Sequence, residues 1–370
     1  MALQRISGKE AWEALLQPEG EHGDVWWNRK TRDDSLGKNA MVHRYGAGIV
    51  RPGARRRPLL AGQRPVFAIG SCFARRIEDA LARAGVPILS SSRVVRQAGL
   101  QLFGVSWDFW NKYSTYAILN ELRWALEPGD GYPEAALVEI APGAYWDHHV
   151  HLGSSNLKQQ LGSNPLTKET LLTFHRALTG VFREIRRAEV IVITLGLNEV
   201  WLDQETGLRL NDPASRYAVE RHRDRFVLEI PDAETNLANL DAAYALIKRS
   251  CVHEPAIVVT VSPVPLLATF TGDDVLVANT LSKSTLRYVA GAWVARHPEI
   301  VYFPAYEMVL NSSRDLVWDA DQVHVSDPFA DLIVQHFLGL FSARPEDPRE
   351  RLLWQLRTTR LPDARAQQTP

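Results

Sequence analysis

The chain has 370 residues, of which 45% are hydrophobic and 23% charged, a composition typical of a globular protein with a buried core. Its formal net charge of -1 does not indicate a positively charged surface of the kind that binds nucleic acid or an anionic membrane. Residues 1–16 mix charged and apolar side chains, and no later stretch holds about 18 consecutive apolar residues, so we expect no signal peptide and no membrane span. These properties predict a cytoplasmic protein.

The flanks of the chain differ from its centre. Residues 1–60 carry scattered Gly, Arg and Trp without a sustained hydrophobic period, and we predict a segment that wraps the following domain. Residues 343–370 mix prolines with Arg and Glu, which predicts a partly disordered C-terminal extension. The domain between the two flanks spans residues 61–342.

A strand, a tight turn and a helix are predicted around residues 66–74, which read V-F-A-I-G-S-C-F-A. Four apolar residues run into Gly70, two residues able to act as nucleophiles follow at Ser71 and Cys72, and a helical pattern begins at Phe73. A side chain at such a turn lies at the carboxyl end of a strand. The helix N-terminus there stabilises negative charge and lowers the pKa of a thiol.

The next elements are shorter. Gly85 is expected to cap the first helix, and residues 87–89 then predict a second strand, which completes one β-α-β unit. A helix is expected at 115–126. In the following Gly-, Pro- and Asn-rich segment, His149 and His151 would share one face of a strand, but no third metal ligand is identifiable. We therefore favour an aromatic surface strand over a metal site.

From residue 171 onward, apolar runs alternate with helical patterns. Strands are predicted at 190–195, 257–261 and 300–303, and helices at 171–185, 237–247, 278–296 and after Asp327-Pro328. The run at 190–195 is apolar almost throughout, as a strand buried on both faces of a parallel sheet requires. The alternation predicts an α/β fold, with helices on both sides of a central parallel sheet in three α/β/α layers.

Three predicted loops carry the chemistry of an acyl-transfer site. They are Gly70-Ser71-Cys72, Gly196-Leu197-Asn198-Glu199 and Asp321-Gln322-Val323-His324. Such a site needs a nucleophile, a base, an orienting carboxylate and donors for an oxyanion, and these loops supply each type. The spacing from Asp321 to His324 lets the carboxylate accept one imidazole N–H while the other ring nitrogen faces the nucleophile. Ligands bind at the carboxyl ends of parallel strands.

The letters G-S-C-F-A at 70–74 resemble the signature of the GSCFA domain family, and the order of elements resembles the wider SGNH/GDSL hydrolase superfamily. The similarity continues in V-S-P-V-P at 261–265, S-K-S at 282–284, Y-F-P-A-Y-E at 302–307 and D-x-x-H at 321–324. The resemblance implies a flavodoxin-like, SGNH-type sheet and acyl-ester chemistry, either hydrolysis or transfer, commonly on glycans or lipids.

The resemblance also implies roles for single residues. The first SGNH block reads G-D-S, so with Gly70 in register Cys72 falls on the nucleophile, and Ser71 is the alternative nucleophile. His324 is then the base and Asp321 its orienting carboxylate. The groups expected to contact the substrate or its oxyanion are Gly70, Asn111, Gly196 and Asn198, with Asn111 replacing a second-block glycine that is not evident.

Two hypotheses from different classes follow. The first is an O-acyltransferase or esterase that acts on a glycan or another hydroxyl-bearing metabolite through a covalent acyl-enzyme. It requires no cofactor or metal, although a transferase would use an acyl donor such as acetyl-CoA. The alternative is a non-catalytic SGNH-fold module that binds a ligand or a partner. The oligomeric state is not predicted.

Other residues have a structural and a functional interpretation. Tryptophans near the strand ends either stack on sugar rings or fill the core: Trp107, Trp110, Trp146 and Trp201. Ser282 and Lys283 are interpreted as a helix cap and a surface lysine rather than as substrate ligands. Cys72 and Cys251 are too few for a disulfide framework, and Cys251 is predicted to be a small buried hydrophobic residue.

Overall fold

The computed structural model describes residues 5–16, 27, 41–54, 57–62, 64–104, 108–129, 131–151 and 166–342. Trp107 and the predicted C-terminal extension lie outside the described residues. The chain divides into two compact units. The first comprises Met1–Arg5, Pro65–Glu78 and Ile88–Tyr306, and the second comprises Ile6–Arg64, Asp79–Pro87 and Glu307–Pro370. The domain boundaries predicted from the sequence stay a prediction.

The described strands are β1 (Val66–Gly70), β2 (Leu137–Ala141), β3 (Ala144–Asp147), β4 (Val190–Leu195), β5 (Val200–Asp203), β6 (Phe226–Glu229), β7 (Ala256–Val261) and β8 (Val301–Tyr302). The described α-helices are α1 (Gly8–Leu16), α2 (Met41–Gly46), α3 (Cys72–Arg83), α4 (Arg93–Phe103), α5 (Thr115–Leu126), α6 (Lys168–Phe182), α7 (Arg216–Arg221), α8 (Ala233–Ser250), α9 (Val275–Arg296), α10 (Ala305–Asn311), α11 (Arg314–Val317) and α12 (Asp327–Phe341).

A four-stranded parallel sheet in the order β1-β4-β7-β8 forms the centre of the first unit. Every residue of β1 and β4 is buried, which explains why their sequences are continuous apolar runs rather than alternating ones. In the register of these two strands, Gly70 lies opposite Thr194. The expected α/β fold, with a parallel sheet flanked by helices and with additional N- and C-terminal segments, is confirmed.

The strand predicted at 87–89 is reduced to a single parallel bridge between Ile88 and Val66. Pro87 has no N–H to donate, and the chain enters α4 soon afterwards, where Ser92 caps the helix by accepting from Val95 N. Counting this bridge as the second strand gives the order 2-1-3-4-5, which is that of flavodoxin-like sheets. In sheets of this order, ligands bind beyond the carboxyl ends of the first and third strands, which correspond here to β1 and β4.

Two antiparallel strand pairs lie outside the parallel sheet, and neither pairing was predicted. One pairs β2 with β3, and the other pairs β5 with β6. The second unit contains α12, which begins with Pro in its first turn as the Asp327-Pro328 pair predicts. In the same unit, Leu60 N donates to Phe341 O at 2.9 Å. None of the described helices is both long enough and apolar enough to span a membrane.

Candidate functional site

The turn after β1 depends on a glycine. Gly70 has φ 136°, a conformation that residues with a Cβ rarely adopt. A Cβ on Gly70 would lie 2.1 Å from the carbonyl oxygen of Thr194, so any side chain would collide with β4. The turn therefore brings the backbone of residues 70–72 directly against the end of the neighbouring strand.

Ser71 and Cys72 have different environments at this turn. The Ser71 side chain is buried, its hydroxyl lies 3.1 Å from Thr194 Oγ1, and it accepts from Phe73 N at 3.4 Å. It serves as a helix cap and as a link between β1 and β4. Cys72 is the first residue of α3 and is only half-buried. Of the two candidate nucleophiles, the thiol is thus the more accessible, at a helix N-terminus that favours its anion.

A buried ion pair fixes the first turns of α3. Arg75 Nη1 lies 2.6 Å from the Glu78 carboxylate, and Arg75 Nη2 donates to Ala68 O of β1 at 2.9 Å. Ser90 hydrogen-bonds the same carboxylate and accepts from Ala68 N at 2.9 Å. These contacts hold the start of α3 against β1. These contacts were not predictable from the sequence, because an Arg-Glu pair three residues apart is typical of a solvated helix face.

The segment 111–113 crosses the ends of β1 and β4. Lys112 N donates to Gly70 O at 2.7 Å, and Tyr113 O accepts from Gly196 N at 3.2 Å and from Leu197 N at 2.8 Å. A Cβ on Gly196 would lie 2.7 Å from Tyr113 O and 3.2 Å from Ser71 Cβ. The structure therefore brings Gly70, Ser71, Gly196 and the segment 111–113 together at the ends of β1 and β4.

The polar groups expected to bind an oxyanion are engaged within the fold. The Asn111 side chain donates to the Tyr113 hydroxyl at 3.1 Å, while its buried Oδ1 has no partner among the described residues. Asn198 is buried; its amide donates to Pro231 O and accepts from Asn236, both at 2.8 Å. With the Gly196 N–H bonded to Tyr113, the oxyanion roles of these residues stay predictions.

Lys283 does not lie at the surface, so the prediction of a surface lysine at the start of a helix is wrong. Helix α9 begins at Val275, two turns before Lys283, and the Lys283 side chain is fully buried. Its Nζ donates to Gly196 O at 2.7 Å, and the preceding Ser282 accepts from Asn198 N at 3.0 Å. Burial lowers the pKa of Lys283 to about 7, although the Cys72 thiolate charge acts to raise it. A buried amine thus lies at the β4 end of the site.

A second buried lysine anchors the segment 111–113. Lys112 Nζ lies 2.8 Å from Glu121 Oε2 and donates to His149 O at 2.9 Å, and both charged side chains are almost completely buried. Nearby, Asp147 Oδ2 bonds His175 Nδ1 at 2.7 Å. Burial acts to raise the pKa of Asp147, but the charge and hydrogen bond of His175 outweigh it and hold that pKa well below its usual range.

The histidines after β3 do not form a surface strand, so that prediction is wrong. Strand β3 ends at Asp147, and His148 and His149 are buried, which lowers their pKa values to about 4 and about 3. His151 pairs with Asp212 at 2.8 Å instead. Within the part of the chain that the structure describes, no group of three or more His, Cys, Asp or Glu residues is arranged to hold a metal ion.

The second unit contains the predicted base and its carboxylate. His324 Nδ1 lies 2.6 Å from Asp321 Oδ2, and Asp321 Oδ1 accepts from His324 N at 3.0 Å and from Val323 N at 2.9 Å. These hydrogen bonds lower the pKa of Asp321 to about 2. Both side chains are exposed. The imidazole is thus oriented with Nε2 available, although its catalytic role stays a prediction.

The aromatic side chains considered for sugar stacking belong in part to the core. Trp110 and Trp146 are buried, and Trp110 packs against Phe109 with ring centroids 5.0 Å apart. Trp201 is half-buried, unlike the other two tryptophans of this set that the structure describes. Its ring centroid lies 5.2 Å from that of Phe270. Of the described tryptophans in this set, Trp201 is therefore the one that is partly exposed.

Cys251 follows α8 and differs from Cys72. Its thiol is partly buried, donates to Ile185 O at 3.2 Å, and has its pKa raised by burial to about 11. Such a thiol is protonated and unreactive at neutral pH.

In a comparison with protein-family models, residues 65–337 match the GSCFA family. The matched range includes every predicted site residue in both units. Searches of the curated proteins and of the solved structures gave no significant match.

Proposed function

Since the chain belongs to the GSCFA family, we propose that it is an acyl-ester enzyme, an O-acyltransferase or esterase that acts on a hydroxyl group of a glycan or similar metabolite. Cys72 is the proposed nucleophile, His324 the base and Asp321 its orienting carboxylate. No cofactor is needed for hydrolysis, and a transferase would draw its acyl group from a donor such as acetyl-CoA. The cytoplasmic location predicted from the sequence favours biosynthetic transfer.

The accessible thiol at the start of α3 is the observation that carries this proposal. Ser71 is buried and its hydroxyl is bonded to Thr194, whereas Cys72 is half-buried at the N-terminus of a 12-residue helix. A helix N-terminus favours the anion of a thiol, and thiolates are strong nucleophiles towards acyl carbons. The contrast with Cys251 supports a specific role for Cys72.

The proposed reaction has two half-reactions. The Cys72 thiolate attacks the acyl carbonyl carbon, the bond to the leaving group breaks, and the leaving atom takes a proton from the His324 imidazolium. A thioester on Cys72 results. The acceptor hydroxyl or water then gives its proton to His324 and attacks the thioester carbon, and the Cys72 thiolate leaves. Asp321 holds Nδ1, which keeps Nε2 free for both proton transfers.

A non-catalytic binding module is the second candidate, and one observation favours it. The Gly196 N–H and the Asn198 amide, both expected to stabilise an oxyanion, are bonded within the fold. An enzyme would have to exchange one of these partners for the substrate oxygen, whereas a binding module would not.

The test is an acylation assay read by mass spectrometry. The protein is incubated with p-nitrophenyl acetate and, separately, with acetyl-CoA, and the acetylated residue and the turnover rate are measured. We expect an acetyl group on Cys72 and its loss in Cys72→Ala. Cys251→Ala is the matched control, because it removes the chain's other thiol, and it should keep both the adduct and the turnover.

Three results would contradict the proposal. An adduct on Ser71 that survives Cys72→Ala would move the nucleophile by one residue. Equal acetylation of Cys72 and Cys251 would show unselective chemistry. Absence of any adduct, with binding of an acylated glycan still detectable by calorimetry, would favour the binding module.

A further inference from the structure

We propose that Lys283 is the proton partner of Cys72: its buried amine takes the thiol proton, so that the resting site holds a thiolate and an ammonium. This inference rests on the proposed function, because it explains how the proposed nucleophile becomes ionised. In this scheme, Lys283 accepts the proton of the thiol. His324 gives a proton to the leaving group and accepts one from the acceptor hydroxyl or water.

The backbone places Lys283 at the same strand ends as the thiol. Lys283 Nζ donates to Gly196 O at 2.7 Å. Gly196 in turn packs against Ser71, since a Cβ on Gly196 would lie only 3.2 Å from Ser71 Cβ. Cys72 is the next residue, and its charge acts on Lys283. The amine, the β4 end and the start of α3 therefore form one local arrangement within the first unit.

The burial of Lys283 calls for a partner that carries negative charge. Its side chain is fully buried, and its one hydrogen bond among the described residues goes to a neutral carbonyl. An ammonium carries three N–H donors, and an isolated buried charge is strongly disfavoured. Among the described residues, no carboxylate forms an ion pair with it. A thiolate nearby would supply the missing negative charge, and the pair would carry no net charge.

Asp241 of α8 and Arg287 of α9 have partners other than Lys283. Helix α9 packs against α8, β7 and β8. Asp241 of α8 pairs with Arg296 and His297, which lie about 13 residues and roughly 20 Å further along α9. Arg287, one turn beyond Lys283, lies 4.0 Å from the ring of Tyr302 on β8. The thiol of Cys72 is the ionisable group whose charge acts on Lys283.

The proton transfer is balanced and needs no other reactant. The Sγ–H bond of Cys72 breaks, an N–H bond forms on Lys283 Nζ, and the electron pair stays on sulfur. Burial lowers the pKa of Lys283 from 10.5 to about 7, so the amine is partly unprotonated at neutral pH and is able to accept this proton. Loss of the Lys283 amine would remove this proton acceptor and its positive charge, while the helix N-terminus would still favour the anion.

The experiment is the pH dependence of cysteine alkylation. Folded protein is treated with iodoacetamide between pH 5 and 11, and alkylation of each cysteine is followed by peptide mass spectrometry. In the parent, Cys72 should react at near-maximal rate by about pH 7, below the pKa of about 8.5 for a free cysteine. Cys251 is the internal control and should react slowly until about pH 10, since burial raises its pKa to about 11.

Two variants separate this role from a structural one. Lys283→Met removes both the proton acceptor and the hydrogen bond to Gly196, and Lys283→Gln keeps an N–H donor but accepts no proton. In either variant, the rate at Cys72 at pH 7 should fall by at least tenfold, with the midpoint moved up by at least one pH unit. Unchanged slow alkylation of Cys251 shows that the variant is folded.

His324→Ala distinguishes the two proposals. It should abolish ester turnover and leave the alkylation profile of Cys72 in place. An unchanged Cys72 profile in Lys283→Gln, with Cys251 still protected, would overturn the role of Lys283. A profile that moves in Lys283→Gln while no variant and no parent turns over ester would support the Lys283–Cys72 pair and contradict the proposed function.

Discussion

At the residue scale, the turn after β1 assigns different tasks to two neighbouring small side chains. Because Gly70 adopts φ 136°, the following hydroxyl is directed at Thr194 and the helix begins one residue later, at the thiol. From the sequence, only the alignment of Gly70 with the family motif implied that Cys72, rather than Ser71, is the nucleophile. Burial, which separates them in the structure, is not readable from the sequence, since serine and cysteine both suit a buried turn.

Gly196→Ala tests the close approach of the segment 111–113 to the sheet. The new Cβ would lie 2.7 Å from a backbone oxygen, Tyr113 O, so the segment has to move. We expect a loss of about 1–3 kcal/mol in the free energy of unfolding in urea. Gly180→Ala is the matched control: nothing lies within 4 Å of its Cβ position in α6, so helix propensity should make it neutral or stabilising. Equal effects of the two changes would contradict the steric argument.

Asp321→Asn tests the orientation of the imidazole. The carboxylate bonds His324 Nδ1 at 2.6 Å, and an amide in its place favours the wrong tautomer. We expect ester turnover to fall by up to about 10⁴-fold with the fold intact, as the equivalent change does in serine proteases. Asp319→Asn, two residues away and exposed, should change turnover little. Turnover of Asp321→Asn equal to that of the parent would make the pair structural.

At the element scale, the long apolar runs were predictable and the buried polar contacts were not. The hydrophobic periodicity of the sequence correctly predicted the positions of β4, β7, α8 and α12. Such patterns reflect the burial of apolar side chains. Lys112, Glu121 and Lys283 gave no such signal. Charged residues are mostly solvated, and only the tertiary structure shows that these three are enclosed.

The buried pair of Lys112 and Glu121 couples α5 to the segment that crosses the strand ends. Lys112→Met removes the lysine from the buried Glu121 carboxylate, which keeps only the longer contacts with Thr179 and His175, and should lower the free energy of unfolding by about 3–5 kcal/mol. The double variant Lys112→Met/Glu121→Gln should lose less than the sum of the two single variants, because no charge is then left alone. Denaturant unfolding of the four proteins checks this, and strict additivity would show that the pair is not coupled.

At the scale of the whole molecule, the stability of the fold should depend on pH through Lys283. Burial lowers the pKa of Lys283 from its usual 10.5 to about 7 in the folded chain, so where no Cys72 thiolate is present to hold the proton, the unfolded chain binds between these pH values a proton that the folded chain does not. Stability therefore rises with pH across this window, and the penalty for burying the charge is complete below about pH 7.

The comparison is best made in the background of Cys72→Ala, which removes the thiol titration. The difference in unfolding free energy between that protein and Cys72→Ala/Lys283→Met should shift in favour of the lysine as pH rises from about 7 to about 10. A difference that stays constant across this range would show that Lys283 keeps its proton in the folded chain.

The separation of β1 and β4 along the chain has a consequence for biosynthesis. Ser71 and Thr194 touch across 123 positions, and Lys283 meets Gly196 across a further 87. Contacts between residues so far apart in the sequence form late in folding, because the long loops between them must close first. A nascent chain that has left the ribosome only as far as β3 carries an apolar β1 without its partner, and such an edge is prone to aggregate. It also carries Cys72 as an ordinary thiol, so the chemistry of the site becomes available only to finished molecules.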